Sequence, residues 1–163
     1  MKGEIMHNTK IDLDLGTRER VIEILNSRLA DAIDLKSQAK QAHWNVKGRN
    51  FIGLHELFDQ VSTEVETYID NIAERVTVLG GTALGTVRVA AQRSSLSEYP
   101  LEITDGESHV DALSTAMADF TKRVRANIDE ADELGDMVTA DIFTEVASGV
   151  DKLLWFVEAH NQS

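Results

Sequence analysis

FIGLHELFDQVSTEVETYIDNIAERVTVL, residues 51–79, decides the fold. Phe51, Leu54, Phe58, Val61, Val65, Ile72, Val76 and Leu79 keep a helical rhythm along it, the stripe of an amphipathic helix and not the alternation of a strand. The stretch predicts one helix of about eight turns. Asn50 stands where an N-cap belongs, and Gly80-Gly81 supply the stop. Upstream, from Thr17 to about Val46, the residues Ile22, Leu25, Leu29, Ala32, Ala39 and Val46 form a second stripe, with Gly48 placed to end it. Downstream, Thr82–Pro100 has a shorter apolar pattern, then Ser94-Ser95 and the only proline, which reads as a linker carrying a short helix. Thr104-Asp105-Gly106-Glu107 is a capping-box pattern, Thr followed three residues later by Glu. It opens a third stripe through Val110, Leu113, Met117, Phe120, Val124 and Ile128, which Gly135 closes. A fourth, about Asp136 to His160, carries Ile142, Val146, Val150, Leu153 and Val157. Short turns within each pair and a long connection between pairs predict an all-α four-helix bundle, with a short helix in the crossover between helices 2 and 3. Residues 17–160 form the expected domain and residues 1–16 a flexible N-terminal tail.

At 163 residues the chain has room for one soluble domain with a single core. It has no cysteine, which excludes disulfides, thiolate nucleophiles and thiolate metal sites, so any metal must be held by His, Asp or Glu. The formal charge of −12 disfavours a nucleic-acid binder with a basic footprint and favours cations as partners, although solubility alone would account for it. Met1–Lys10 lacks an apolar signal region and no run approaches 18 apolar residues, so neither secretion nor a membrane partner is expected and the cytoplasm is the expected compartment.

Beside the apolar arc of the second helix runs a polar stripe of His55, Asp59, Glu66, Asp70 and Glu74. Glu66/Asp70 and Asp70/Glu74 are like charges at i,i+4, which repel by about a few tenths of a kcal/mol each on an exposed helix. Such a row calls for a counter-charge. A bound cation supplies one; a solvated face or a neighbouring arginine such as Arg75 supplies another. On the first helix His43 falls at the centre of the apolar stripe, where a lone His is usually a core residue, but Trp44 follows it and His55 comes twelve positions later. Two imidazoles with several carboxylates suit Fe(II), Mn(II) or Zn(II), and mixed N/O ligands accept both Fe(II) and Fe(III). The Glu-x-x-His motif of di-iron sites inside bundles occurs only as Glu4…His7, ahead of the first helix. Because the polar stripe borders the core arc, a site built on it belongs at the bundle edge, with ligands from two subunits. Lys36, on the apolar stripe of the first helix, has no explanation from sequence beyond snorkelling.

Lys40-Gln41-Ala42-His43-Trp44-Asn45-Val46-Lys47-Gly48, Phe51-Ile52, Leu54-His55-Glu56-Leu57-Phe58-Asp59 and Ile69-Asp70-Asn71-Ile72-Ala73-Glu74-Arg75 closely resemble the Dps family, the mini-ferritins named as DNA-binding proteins from starved cells. Thr139-Ala140-Asp141-Ile142-Phe143, Asp151-Lys152 and Leu154-Trp155-Phe156 match as well, and the resemblance spans roughly Thr17 to His160. It implies a ferritin-like bundle that assembles into a dodecamer, a hollow shell with ferroxidase centres at its two-fold interfaces. His43, His55 and Asp59 would come from one subunit and Asp70 and Glu74 from its mate, holding at most two iron ions, with zinc or manganese as substitutes. The oxidant implied is hydrogen peroxide in preference to dioxygen, the product a stored ferric mineral, and the role protection against oxidative damage. Trp44, beside a ligand, would supply or trap an electron or simply pack at the interface. Residues 129–163 carry nine acids and one base, −8 of the total charge, and the resemblance makes Asp141 and Asp151, with Glu145, residues of an iron-uptake pore; for Glu145 an ordinary surface acid fits equally. Members that condense DNA use a lysine-rich tail, whereas residues 1–20 hold four bases and four acids, so weak or absent DNA binding is expected at physiological salt. His7 in that tail reads as a surface residue. Two other functions compete with the ferroxidase: a shell acting mainly in DNA compaction, and a non-catalytic metal buffer.

Overall fold

A computed structural model of the chain describes residues 6–162, and every regular element among them is a helix: α1 (Leu15–Asn45), α2 (Phe51–Val78), α3 (Val87–Arg93), α4 (Gly106–Glu133) and α5 (Met137–Glu158). The expected bundle is observed. The hairpin of α1 and α2 packs on the hairpin of α4 and α5 through α1 against α4 and α2 against α5, and α3 rests on α1 within the long crossover. The four stripes meet in one core in which Leu25, Leu29, Phe58, Met117, Phe120 and Phe143 are fully buried. Each such side chain contributes about 1.5–3 kcal/mol relative to leaving it in water. Phe51, assigned to the stripe of α2, is instead 39% exposed at the helix start. None of the helices described is long and apolar enough to cross a membrane.

The caps differ from the sequence reading in two places. Asn50 stands at the start of α2 but makes no side-chain cap; it adopts a left-handed backbone (φ 61°) that turns the chain out of α1, a conformation Asn tolerates better than most residues. For α4 the cap is Asp105, one residue after the expected Thr104: its carboxylate accepts from Ser108 N at 2.8 Å and from Ser108 Oγ at 2.8 Å. The Thr104 carbonyl is engaged elsewhere, accepting from Lys47 N at 2.8 Å and tying the α1–α2 turn to the start of α4. Asp14 caps α1, accepting from Thr17 N at 3.1 Å, which starts that helix at Leu15 and not at Thr17.

Of the expected tail, residues 1–5, including Glu4, lie outside the described residues, while the segment from Met6 runs along the end of α1 and α2. Met6, Ile11 and Leu13 pack against the core, and His7, whose side chain is exposed, donates its backbone N–H to Gly80 O at 2.8 Å. Gly80 has φ +91°, and a Cβ there would stand 2.5 Å from His7 O. Gly80→Ala therefore meets a left-handed backbone, costing about 1–2 kcal/mol, and also displaces this segment. A lower denaturation midpoint with faster proteolysis between residues 7 and 13 is expected; an unchanged midpoint would contradict the packing.

Candidate metal centre

Antiparallel packing of α1 on α2 brings the polar border of one helix against that of the other. Core positions in the last turns of α1 are taken by Ala39, Ala42 and Val46, so His43 is not at the centre of the buried stripe as its spacing suggested; it is half-buried at the edge, facing His55. The two rings stack with centroids 3.7 Å apart and planes 21° from parallel. Nδ1 of His43 lies 2.6 Å from the carbonyl oxygen of His55, and Nδ1 of His55 lies 2.8 Å from that of His43. A carbonyl only accepts, so each Nδ1 carries a proton, and in the neutral ring the lone pair is then on Nε2. Backbone acceptors thus fix both imidazoles in the tautomer that ligates a metal through Nε2.

One turn along α2, Asp59 Oδ1 accepts from Lys40 Nζ at 2.6 Å, which leaves Oδ2 free for a second partner. The Lys40 hydrogen bond is the main reason the Asp59 carboxyl is held below the usual carboxylate range, with the Lys40 charge and the two imidazoles acting in the same direction. Lys40 Nζ also lies 5.8 Å from the ring centroid of Trp44, which is 66% exposed. NMR titration of the metal-free protein is expected to find Asp59 ionised to lower pH than a free aspartate, and Lys40→Met is expected to move it back up. Because the folded value is the lowered one, the stability this pair adds is present above the ordinary aspartate pKa and is lost as pH falls through the folded value. An Asp59 that titrates identically in both proteins would contradict the pairing.

Lys36, unexplained by sequence, forms an ion pair with Glu66. The same border thus carries Lys36/Glu66, Lys40/Asp59 and His43/His55 in antiparallel order. Asp70 and Glu74 are exposed and form no ion pair among the described residues. Arg75, the counter-charge the sequence offered, is turned away from them: its Nη2 donates to both Asp136 carboxylate oxygens at 2.8 and 3.1 Å, and its Nε to Thr139 Oγ1 at 3.0 Å. Along α2, Asp70 is about 16 Å from Asp59 at 1.5 Å per residue. Among the described residues, no three His, Asp or Glu side chains of one chain gather where they could hold a metal ion. One protomer therefore presents two incomplete donor sets on one edge: two imidazoles with a carboxylate, and two unpaired carboxylates three turns away.

Glu74 lines a shallow groove of about 360 Å3 between α2 and α5 together with Asn71, Arg75, Val78, Ile142 and Glu145. On α5, Asp141 and Glu145 are exposed and share a face at i,i+4. Asp151 lies about 80° round the helix from Asp141 at 3.6 residues per turn, and it accepts from Arg125 Nη1 at 2.6 Å. The sequence reading overlooked Lys40, although Lys36, Lys40 and His43 read against Glu66, Asp59 and His55 in reverse order were a visible signal of antiparallel pairing.

The model of the ferritin-like domain matches residues 22–163. A DNA protection during starvation protein from Agrobacterium fabrum is 47% identical over 156 residues, covering 96% of each chain. Another from Brevibacillus brevis is 34% identical over 145 residues, covering 87% of this chain and 95% of that one. Among solved structures, Mycobacterium smegmatis Dps superposes with a TM-score of 0.92 at 31% identity, covering 98% of this chain and 96% of the other. With its helices, its crossover and its edge histidines in hand, these likenesses mean that the chain belongs to the ferritin-like proteins and, within them, to the Dps family.

Proposed function

We propose that this protein is a ferroxidase and iron store of the Dps kind, which oxidises Fe(II) with hydrogen peroxide in preference to dioxygen, keeps the ferric product as mineral inside a shell of twelve subunits in the cytoplasm, and so protects the cell, DNA included, from oxidative damage. Membership of the family supports iron storage and DNA protection in general. The observation that carries the finer reading is the division of donors: His43 and His55 with Asp59 on one part of the edge, and Asp70 and Glu74, which form no ion pair among the described residues, beginning about 16 Å beyond Asp59 along α2. A two-fold contact of this edge with a second copy supplies the missing half to each, because an isologous interface repeats every contact twice.

Fe(II) is the substrate. In this reading His43, His55 and Asp59 of one subunit and Asp70 and Glu74 of its mate hold at most two iron ions, and zinc or manganese compete for the same donors. The carboxylates offset the charge gained as Fe(II) becomes Fe(III), and Lys40 keeps Asp59 ionised and oriented. Peroxide accepts an electron from each of two Fe(II) ions and leaves as two hydroxides, so no hydroxyl radical escapes. Asp141 and Glu145, with Asp151, would draw iron towards the cavity by raising the local cation concentration. Trp44 packs at the subunit contact or exchanges an electron with the site.

Anaerobic loading with Fe(II) followed by peroxide tests the reading. A rapid rise of ferric absorbance with two Fe(II) consumed per peroxide and no hydroxyl radical released is expected, whereas a buffer would oxidise no faster than free Fe(II) and would release the radical. DNA is protected here by chemistry more than by binding, since residues 1–20 are net neutral. A gel shift at physiological salt is expected to leave DNA free, and tight binding there would favour the compaction reading.

A further inference from the structure

Tyr99, in the crossover, and His109, in the first turns of α4, belong to none of the machinery described so far. Tyr99 Oη lies 2.7 Å from His109 Nδ1. His109 is 1% exposed, and its other nitrogen, Nε2, is buried without a hydrogen-bond partner among the described residues. Burial pushes this imidazole below its ordinary pKa, while the Ile103 backbone and the Asp105 carboxylate pull the other way. Burial pushes the Tyr99 phenol well up. Both groups are therefore neutral, and with the ring proton on Nε2 the phenol donates to Nδ1. The pair also packs near α2, the helix that carries His55 and Asp59. Phe58, fully buried between His55 and Asp59 in sequence, has its ring 6.5 Å from that of His109, and the rings of His109 and Tyr99 are 5.9 Å apart.

We infer that Tyr99 and His109 form a proton-coupled redox pair that absorbs a one-electron oxidant produced at the iron site, and this rests on the iron reading above. When peroxide meets a site holding a single Fe(II), one electron cleaves it to hydroxide and an oxidant of the hydroxyl-radical class, with Fe(III) left behind. Tyr99 supplies the missing electron through His109 and Phe58, the oxidant becomes a second hydroxide, and the phenolic proton moves to His109 Nδ1. A neutral tyrosyl radical and an imidazolium remain. The next Fe(II) to arrive returns the electron, the proton goes back to Tyr99, and the sum is two Fe(II) oxidised per peroxide. A phenol without a base beside it would have to release its proton to no acceptor, which is why the 2.7 Å contact matters.

The chain has only two tyrosines, so the assignment can be made by substitution; Tyr68 packs over Gly149 instead. Two arms are run on the intact shell by freeze-quench electron paramagnetic resonance: substoichiometric Fe(II) with peroxide, and a photogenerated one-electron oxidant with no iron. A neutral tyrosyl signal is expected in the wild type and in Tyr68→Phe and is expected to vanish in Tyr99→Phe. His109→Gln should lower its yield several-fold and weaken its solvent deuterium isotope effect. A tyrosyl signal that survives Tyr99→Phe, or none in the photochemical arm, overturns the pair. A Tyr99 radical in the photochemical arm with none in the iron arm, while Fe(II) is oxidised normally, overturns its link to the iron site. Failure of Fe(II) oxidation itself would count against the ferroxidase reading and is seen separately as missing ferric absorbance.

Discussion

Replacing His43 or His55 by alanine is expected to slow peroxide-driven oxidation of Fe(II) by at least about 100-fold, since losing a ligand costs no less than the roughly 10–100-fold lost on disturbing a partner one shell further from the metal. Each ring does more than offer its own Nε2. The rings also stack at 3.7 Å, so losing one removes a packing partner of the other, while the backbone carbonyl that accepts from the remaining Nδ1 stays in place. A pocket missing one imidazole is already incomplete, so the single variants should each lose nearly as much as the double variant, a strongly non-additive pattern. His7→Ala, at an exposed side chain near the N-terminus, is the matched control and should oxidise iron at the wild-type rate. Stopped-flow absorbance reads all four proteins. Wild-type rates in His43→Ala and His55→Ala would remove the imidazoles from the site.

The largest expected effect on stability is at Asp136. This residue is almost fully buried and does three things at once: it accepts from Thr139 N at 3.1 Å as the cap of α5, from Thr139 Oγ1 at 2.6 Å, and from Arg75 Nη2 at 2.8 and 3.1 Å. Asp136→Ala strands the Arg75 guanidinium in a nearly dry pocket, and breaking a buried pair in this way costs about 3–5 kcal/mol. Urea denaturation should show a large fall in midpoint. Asp136→Asn, which keeps the capping oxygen but not the charge, should fall between the two. An unchanged midpoint in Asp136→Ala would mean that Arg75 finds another partner, such as Glu74 or Glu145, which line the same groove.

Helical rhythm made the fold readable because each helix buries one face: Leu54, Phe58, Val61 and Val65 are all buried as their spacing implied. The ends were less readable. Thr104 and Asp105 both suit a cap, and only the pull of Lys47 N on the Thr104 carbonyl assigns the role to Asp105. Among the candidate ligands, spacing identified His43 and His55 as a pair but misjudged the burial of His43, because small residues, Ala39 and Ala42, fill the core position that the pattern gave to the imidazole. Arg75 was offered as a partner for the acidic row; its true partner, Asp136, is 61 residues away in sequence and invisible to any local pattern. The same holds for Tyr99 and His109, which meet only because the crossover folds back over the start of α4.

That the iron pocket is shared between two chains can be tested by mixing. Subunits carrying His43→Ala with His55→Ala are co-refolded in equal amounts with subunits carrying Asp70→Ala with Glu74→Ala, each kind being inactive alone. In a mixed two-fold pair one pocket receives both damaged halves and the other receives both intact ones, so about a quarter of all pockets are whole if pairing is random. The measurement is the rate of Fe(II) oxidation by the mixed shells. Recovery of about a quarter of the wild-type rate is expected from an isologous contact; mixed shells as inactive as their parents would contradict a pocket built by two subunits.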